Sequence, residues 1–193
     1  MSSKPNIQAI AFETPEAWQA WLDEHQTEHD GVWLKLARAG SGIPSVTRDE
    51  ALDIALCYGW IDGQGRSCDE NYWLQRFTPR RPRSKWSQIN TRKVEALIEA
   101  GSMQPAGLRE IERAKADGRW DAAYAPPSTA TVPDDLQQAL DANPDAREFF
   151  QSLDSRNRYA ILHRIADAKR PETRARRISQ FVEMLAEGRK LHP

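Results

Sequence analysis

The spacing of hydrophobic residues predicts a helix near the start of the chain. Trp18, Trp21, Leu22 and His25 recur at i, i+3, i+4 and i+7, so they share one face of a helix. Thr14-Pro15 lies just before them and supplies an N-cap followed by proline at the first helical position. We therefore expect an amphipathic helix that begins at Pro15 and buries its tryptophan face.

A second helix is indicated by a capping box. Thr47 and Glu50 have the T-x-x-E spacing in which each side chain binds the backbone of the other residue. Apolar residues follow over 51–56. Gly59 comes after them, and glycine readily adopts the left-handed backbone conformation that ends many helices. The predicted helix lies between these signals.

Alternation of apolar and polar residues predicts strands around these helices. Residues 32–37 alternate with a period of two, which is typical of a half-buried strand, and residues 7–12 form a short apolar segment of strand type. Residues 60–63 and 72–77 are two further strand-like segments, and the polar stretch 64–71 joins them as a predicted hairpin. The first half of the chain is thus expected to hold a small mixed or antiparallel sheet packed with helices.

The second half contains only helix signals. Segments 87–100 and 105–117 each end at a glycine, and further helix starts are indicated at Pro133, Pro144, Asp154 and Pro171. A Pro-rich stretch lies between the two kinds of segment. We predict an α+β fold with an α+β domain at 1–119, a linker at 120–132 and a helical domain at 133–193.

Composition limits the class of protein. With 39% hydrophobic and 28% charged residues, the 193-residue chain can bury a sizeable core, which excludes a disordered protein. It has no apolar run of membrane-spanning length and no secretory signal, so a cytoplasmic location is expected. The net charge of -1 disfavours a globally basic nucleic-acid binder.

Charge is nevertheless segregated along the sequence. From Pro5 to Leu34 there are acidic residues and no Lys or Arg, whereas 76–93 contains seven basic residues and no acidic one. The acidic segment suits a cationic peptide, and the basic segment suits a small anionic ligand.

Three motifs are better explained by structure than by chemistry. His25-Gln-Thr-Glu-His29 matches H-x-x-E-H, but it falls at a helix end and continues the tryptophan face, so no metal site is predicted. Gly40-x-Gly42 and Gly63-x-Gly65 lack the third glycine of a dinucleotide loop and are interpreted as turns. Cys57 is interpreted as a small buried hydrophobe, and no cofactor is expected.

The strongest candidate for a binding site is the segment around 72–90. Arginine forks bind carboxylates or phosphates at two points, and tryptophans offer flat surfaces on which guanidinium groups stack. Pro79 and Pro82 stiffen the loop and lower the entropy cost of presenting its arginines. The predicted ligand-binding residues are Tyr58, Trp60, Asp62, Gln64, Trp73, Arg76, Arg80, Arg81, Trp86 and Asn90.

Several motifs in order resemble the YdeI/OmpD-associated family. They are Ser-Gly-Ile-Pro-Ser-Val-Thr at 41–47, Ala-Leu-Cys-Tyr-Gly-Trp-Ile-Asp-Gly at 55–63, Arg-Phe-Thr-Pro-Arg-Arg-Pro at 76–82, Trp-Ser-Gln-Ile-Asn at 86–90 and Pro-Glu-Thr-Arg-Ala-Arg-Arg-Ile at 171–178. The resemblance implies a role linked to bacteriocin and antimicrobial-peptide tolerance. It implies no reaction and no catalytic residues.

Three functions are consistent with this sequence. The first is a non-catalytic binding protein with a basic and aromatic anion-binding cleft. The second is an enzyme acting on a small anionic metabolite, with Asp62 as general acid or base. The third is nucleic-acid binding through the basic segment, which the charge balance disfavours.

Overall fold

The structure is a computed structural model and describes residues 9–193. The chain divides into two compact units, one ending at Ala123 and one spanning Tyr124–Pro193. The division falls inside the predicted linker. The exact domain bounds, 1–119 and 133–193, stay a prediction, and residues 7 and 8 of the first predicted strand lie outside the described residues.

The first unit is an α+β structure with a mixed sheet. The strands have the order β1-β2-β4-β3, with β1 parallel to β2 and the other neighbours antiparallel. Its elements are β1 (Ala9–Ala11), α1 (Pro15–His25), β2 (Val32–Ala37), α2 (Arg48–Cys57), β3 (Trp60–Ser67), β4 (Tyr72–Pro79), α3 (Gln88–Glu99) and α4 (Pro105–Ala116).

The register of β2 against β4 gives the sheet two chemically different faces. Val32 pairs with Phe77 and Leu34 with Gln75, and these residues point toward the helices. Trp33 pairs with Arg76 and therefore lies on the opposite face, which we call the outer face.

The core of this unit is built on tryptophans, as the sequence predicts. Trp18 is fully buried and packs edge-on against Trp60 at a ring-centre distance of 6.5 Å and against Phe77 at 5.7 Å. Trp21, which is partly buried, stacks on Trp18 at 5.4 Å. Aromatic pairs of this geometry stabilise a core beyond the area that they bury.

Helix α2 is the centre of the helical layer, since it contacts α1, α3, α4 and β3. The predicted capping box is present, with both Thr47 and Glu50 bonds formed, and the hydrogen bonds from Thr47 lower the pKa of Glu50. Helix α4 approaches α2 at Gly107, where an added Cβ would lie 2.2 Å from the Cys57 carbonyl oxygen. Only a residue without a side chain permits this approach.

The elements of the second unit, within 124–193, are all helices. Its helices are α5 (Asp134–Asp141), α6 (Pro144–Ser152), α7 (Ser155–Ala166) and α8 (Pro171–Ala186). Helix α8 contacts the other three, and its buried Ile178 and Leu185 pack into one apolar cluster with Phe150 and Ile161. The predicted proline starts at Pro144 and Pro171 are confirmed.

The α+β fold class is confirmed, because the described residues form a four-stranded mixed sheet and eight helices. One prediction about the hairpin is wrong. Gly63-x-Gly65 is not a turn, since β3 continues to Ser67 and pairs with β4 at Asp62 and again at Gly65. Between these pairs the Gly63 carbonyl accepts a hydrogen bond from the Gln75 side chain, whereas a solvent-exposed turn would leave it to water.

Replacing Gly107 tests the contact between α4 and α2. A glycine inside a helix is ordinarily about 1 kcal/mol less stable than alanine. Here Gly107→Ala is expected to destabilise the protein by about 3 kcal/mol, because the new methyl group would overlap the Cys57 carbonyl.

Chemical denaturation measures the free energy of unfolding of both variants in this test. Gly118→Ala is the control, since Gly118 has a φ of 75° with no heavy atom within 4 Å of the added Cβ. We expect a loss of only about 1 kcal/mol there, from backbone strain. A stabilising Gly107→Ala substitution would contradict the close approach of the two helices.

Candidate anion-binding site

The structure places three of the predicted site residues in or against the core. Tyr58 and Trp60 are 3% and 1% exposed, and Trp73 is partly buried against the same cluster. The Tyr58 hydroxyl donates a hydrogen bond of 2.5 Å to the Asp23 carboxylate. Burial and this bond raise the pKa of Tyr58, so its hydroxyl stays protonated.

Asp62 is held by an ion pair. Arg48, in the first turn of α2, donates to the Asp62 carboxylate at 2.5 Å, and the Asp62 side chain is 16% exposed. The pair joins α2 to β3. Because the carboxylate is already bound to Arg48, the structure favours a structural role for Asp62.

Arg80 and Trp86 are brought together, but inside the fold. The Arg80 guanidinium lies 3.5 Å from the centre of the Trp86 ring and donates a hydrogen bond of 3.1 Å to the Lys85 carbonyl. Arg80 is 6% and Trp86 2% exposed. Arg80 is thus not presented to solvent as the loop sequence suggests, because stacking on the indole desolvates it.

The remaining predicted residues do not join this pair. Asn90 lies in the first turn of α3, where its backbone N–H donates to Ser87, while Gln64 and Arg81 are exposed. Arg76 lies on the outer face of the sheet, whereas Trp86 belongs to the core on the helix-packed face. The predicted residues therefore do not line one common cleft.

A different cluster of basic and aromatic side chains occupies the outer face. The Arg66 guanidinium lies 4.6 Å from the centre of the Trp33 ring, and the Arg76 guanidinium lies 6.0 Å from the same ring. Beside them, the Lys35 ammonium is 5.9 Å from the Tyr72 ring. We call Trp33, Lys35, Arg66, Tyr72 and Arg76 the outer-face cluster.

The two arginines of this cluster keep their hydrogen-bonding capacity. Within residues 9–193, the guanidinium groups of Arg66 and Arg76 form no hydrogen bond and no salt bridge. By contrast, Arg48, Arg119 and Arg174 are each bound to a carboxylate. A guanidinium stacked on an indole is oriented by the ring while its N–H groups stay available to an anion.

A β-bulge is what places Arg66 in the cluster. Asp62 pairs with Phe77 and Gly65 with Gln75, so β3 advances by three residues where β4 advances by two. The extra residue reverses the alternation of β3, and Arg66 faces outward instead of toward the helices. The Gln75 side chain stabilises the bulge by donating to the Gly63 carbonyl at 2.8 Å.

Gly31 lies beside the Arg76 guanidinium group, where a residue with a side chain would not fit. Gly31 lies just before β2 with a φ of 136°, and an added Cβ would be 2.7 Å from the Phe77 carbonyl oxygen. The same added atom would be 3.4 Å from the Arg76 Nη2 atom. Backbone therefore borders this guanidinium on one side, where a larger residue would crowd it.

Of the outer-face cluster, the predicted site residues include Arg76 but lack Trp33, Lys35, Arg66 and Tyr72. The alternation of residues 32–37 already places Trp33 and Lys35 on the face opposite Leu34. That signal would have found two of the four. Arg66 has no comparable signal, because its face depends on the bulge.

A polar cavity of about 300 Å³ lies elsewhere in the first unit, where α1, α2, α3 and the segment 101–104 meet. Cys57 borders it, and burial raises the pKa of this thiol to about 11. Asp53, also at its border, is bound to Lys93 at 2.6 Å. A thiol with so high a pKa is protonated at neutral pH and is a poor nucleophile.

The H-x-x-E-H motif is absorbed into aromatic packing. The His25 ring stacks on Trp21 with ring centres 4.9 Å apart, and its Nδ1 atom lies 2.9 Å from the Trp21 carbonyl oxygen. His29 contacts the same tryptophan at 5.3 Å. From Ala9 to Pro193, no group of three or more potential ligands is placed to hold a metal ion.

Comparison with protein families assigns the segment that contains the outer-face cluster to a family. Residues 10–110, more than half of the chain, match the family model described as a domain of unknown function (DUF8412). The chain belongs to this family. The DUF8412 match includes the whole outer-face cluster.

A second match covers the helical unit. Residues 129–188 match the family model described as Bacteriocin-protection, YdeI or OmpD-Associated, which confirms the resemblance drawn from the sequence. Of the motifs that carried the resemblance, only 171–178 lies in this segment, while those at 41–90 lie in the DUF8412 match. No curated protein and no solved structure is significantly similar to the chain.

The contrast between Arg80 and Arg81 is testable by substitution. Arg80→Ala is expected to lower the free energy of unfolding by about 2–3 kcal/mol, since it removes a desolvated cation–π contact and a buried hydrogen bond. Arg81→Ala, the neighbouring control, should change it by less than about 0.5 kcal/mol because Arg81 is exposed. Equal effects in urea denaturation would contradict the buried position of Arg80.

Proposed function

We propose that the protein is a non-catalytic binding protein with a role in bacteriocin or antimicrobial-peptide tolerance, and that it binds an anionic group at the outer-face cluster. The role is supported by the match of residues 129–188 to the bacteriocin-protection model. The anion site is supported by one observation: two guanidinium groups lie over Trp33 without a protein acceptor in the described chain.

The chemistry of the cluster favours phosphate or carboxylate groups. Arginine presents N–H donors in a planar fork that matches both kinds of oxyanion. Lys35 adds a third positive charge on the same face of the sheet. Because Arg66 and Arg76 converge on one ring, an anion with more than one charged group can contact both.

The proposed site shares only part of the cleft that the sequence predicts. Arg76 belongs to both, whereas Arg80 and Trp86 support the fold beside it. A cationic peptide on the acidic segment 13–30 stays a prediction. An enzyme using Asp62 and a nucleic-acid partner also stay predictions, and the ion pair of Asp62 with Arg48 favours neither.

The compartment in which the protein acts stays a prediction as well. Between Ala9 and Pro193, no helix combines the length and hydropathy that crossing a membrane requires.

Calorimetric titration with inorganic phosphate, pyrophosphate and citrate tests the anion site. Wild type is expected to bind at least one of them, and Arg66→Gln with Arg76→Gln should weaken that binding at least tenfold. Affinity should fall as sodium chloride is raised, since exposed charges are screened. Thermal denaturation of the double variant checks that the fold is retained.

The control changes the same charge elsewhere. Arg92 and Arg109 are exposed and lie on α3 and α4, so Arg92→Gln with Arg109→Gln removes two positive charges away from Trp33. This control should keep wild-type affinity. The proposed site would be wrong if none of the three anions bound, or if both double variants lost affinity equally.

A further inference from the structure

A groove in the helical unit is independent of the outer-face cluster. It has a volume of about 1030 Å³ and extends along α8 from Pro171 to Glu187, with α5 on its other side. At 1.5 Å per residue, the 16 residues of α8 span about 24 Å, so the groove is as long as four helical turns. Its size and shape suit a segment of polypeptide better than a small metabolite.

The floor of the groove is apolar and follows helical spacing. Ala175, Ser179, Val182 and Ala186 line it, at intervals of four, three and four residues. This is the spacing of the seam along which two helices pack with their axes nearly parallel. Three of the four side chains are small, so the backbone of a docked helix can approach α8 closely.

The rim of the groove is acidic. Asp135, Glu183 and Glu187 line it, and an adjoining hollow that shares Ala186 adds Asp145 and Glu148. Arg174 is the basic residue of the lining, and Asp135 engages it with two hydrogen bonds of 2.5 and 2.8 Å.

The other carboxylates are largely available to a partner. Glu187 is bound by Arg189, whereas Asp145, Glu148 and Glu183 have no ion pair within the described residues. Their negative charge is therefore not neutralised by this unit, and it favours a positively charged occupant.

We propose that this groove docks an amphipathic α-helix that carries lysine or arginine residues beside its apolar face. Apolar side chains of the helix would cover Val182 and Ile178, and its cations would face the acidic rim, as in other helix-in-groove complexes. A second copy of the chain is a poorer occupant. A contact between the grooves of two copies would bring two acidic rims together, and like charges repel.

The test uses the full chain and a designed probe. The probe is a labelled 14-residue helical peptide with leucine at the positions of one apolar face and lysine at the others. Its comparison peptide has glutamate in place of every lysine. Fluorescence anisotropy is expected to show that the lysine peptide binds wild type. The glutamate peptide is tested on the Arg66→Gln, Arg76→Gln variant, which lacks the arginines of the outer-face cluster, and no binding is expected there because the rim would repel it.

Two variants separate the charge and the shape of the groove. Glu148→Lys with Glu183→Lys reverses two charges of the rim and should weaken binding of the lysine peptide at least tenfold. Ser179→Trp fills the groove from an exposed position and should abolish binding while circular dichroism and the melting temperature stay unchanged. The matched control is Glu95→Lys with Glu99→Lys on α3, which should leave the affinity within twofold of wild type.

Three outcomes would overturn the proposal. The first is no binding of the lysine peptide, and the second is equal loss of binding in the rim variant and the α3 control. The third is a dimer in sedimentation that Ser179→Trp converts to a monomer, since a second copy would then occupy the groove. None of these outcomes depends on the anion titration, because no groove residue belongs to the outer-face cluster.

Discussion

The pairing of β2 with β4 is the constraint on which the first unit depends. Placing Val32 opposite Phe77 directs one set of side chains into the tryptophan core, and the intervening pair, Trp33 and Arg76, is then directed outward. A shift of one residue would bury the arginine and expose the phenylalanine. The same register therefore stabilises the core and creates the basic and aromatic outer face.

Cation–aromatic contacts serve two purposes in this molecule. Arg80 on Trp86 is buried and closes the loop that follows β4, so its charge is used within the fold. Arg66 over Trp33 is exposed and has no carboxylate partner in the described chain, so its charge is available to a ligand. Exposure and partners, rather than residue type, distinguish a structural arginine from a binding one.

The two units carry opposite chemistry. The outer face of the sheet gathers Lys35, Arg66 and Arg76, while the groove between α5 and α8 is rimmed by carboxylates. A net charge of -1 conceals this contrast, because the 27 basic and 28 acidic residues nearly cancel over the whole chain. Both proposals rest on local charge that is not balanced by neighbouring residues, and each is confined to one unit.

The sequence alone determined the α+β class, the helix starts at Thr14-Pro15 and Thr47, and the burial of Trp18, because caps and periodicity act over a few neighbouring residues. It also drew attention to Arg76 and Arg80. Only the tertiary structure decided that these two arginines separate and that Arg66 joins the first. The position of Arg66 depends on one extra residue in β3, whose effect on side-chain direction appears only when β3 is paired with β4.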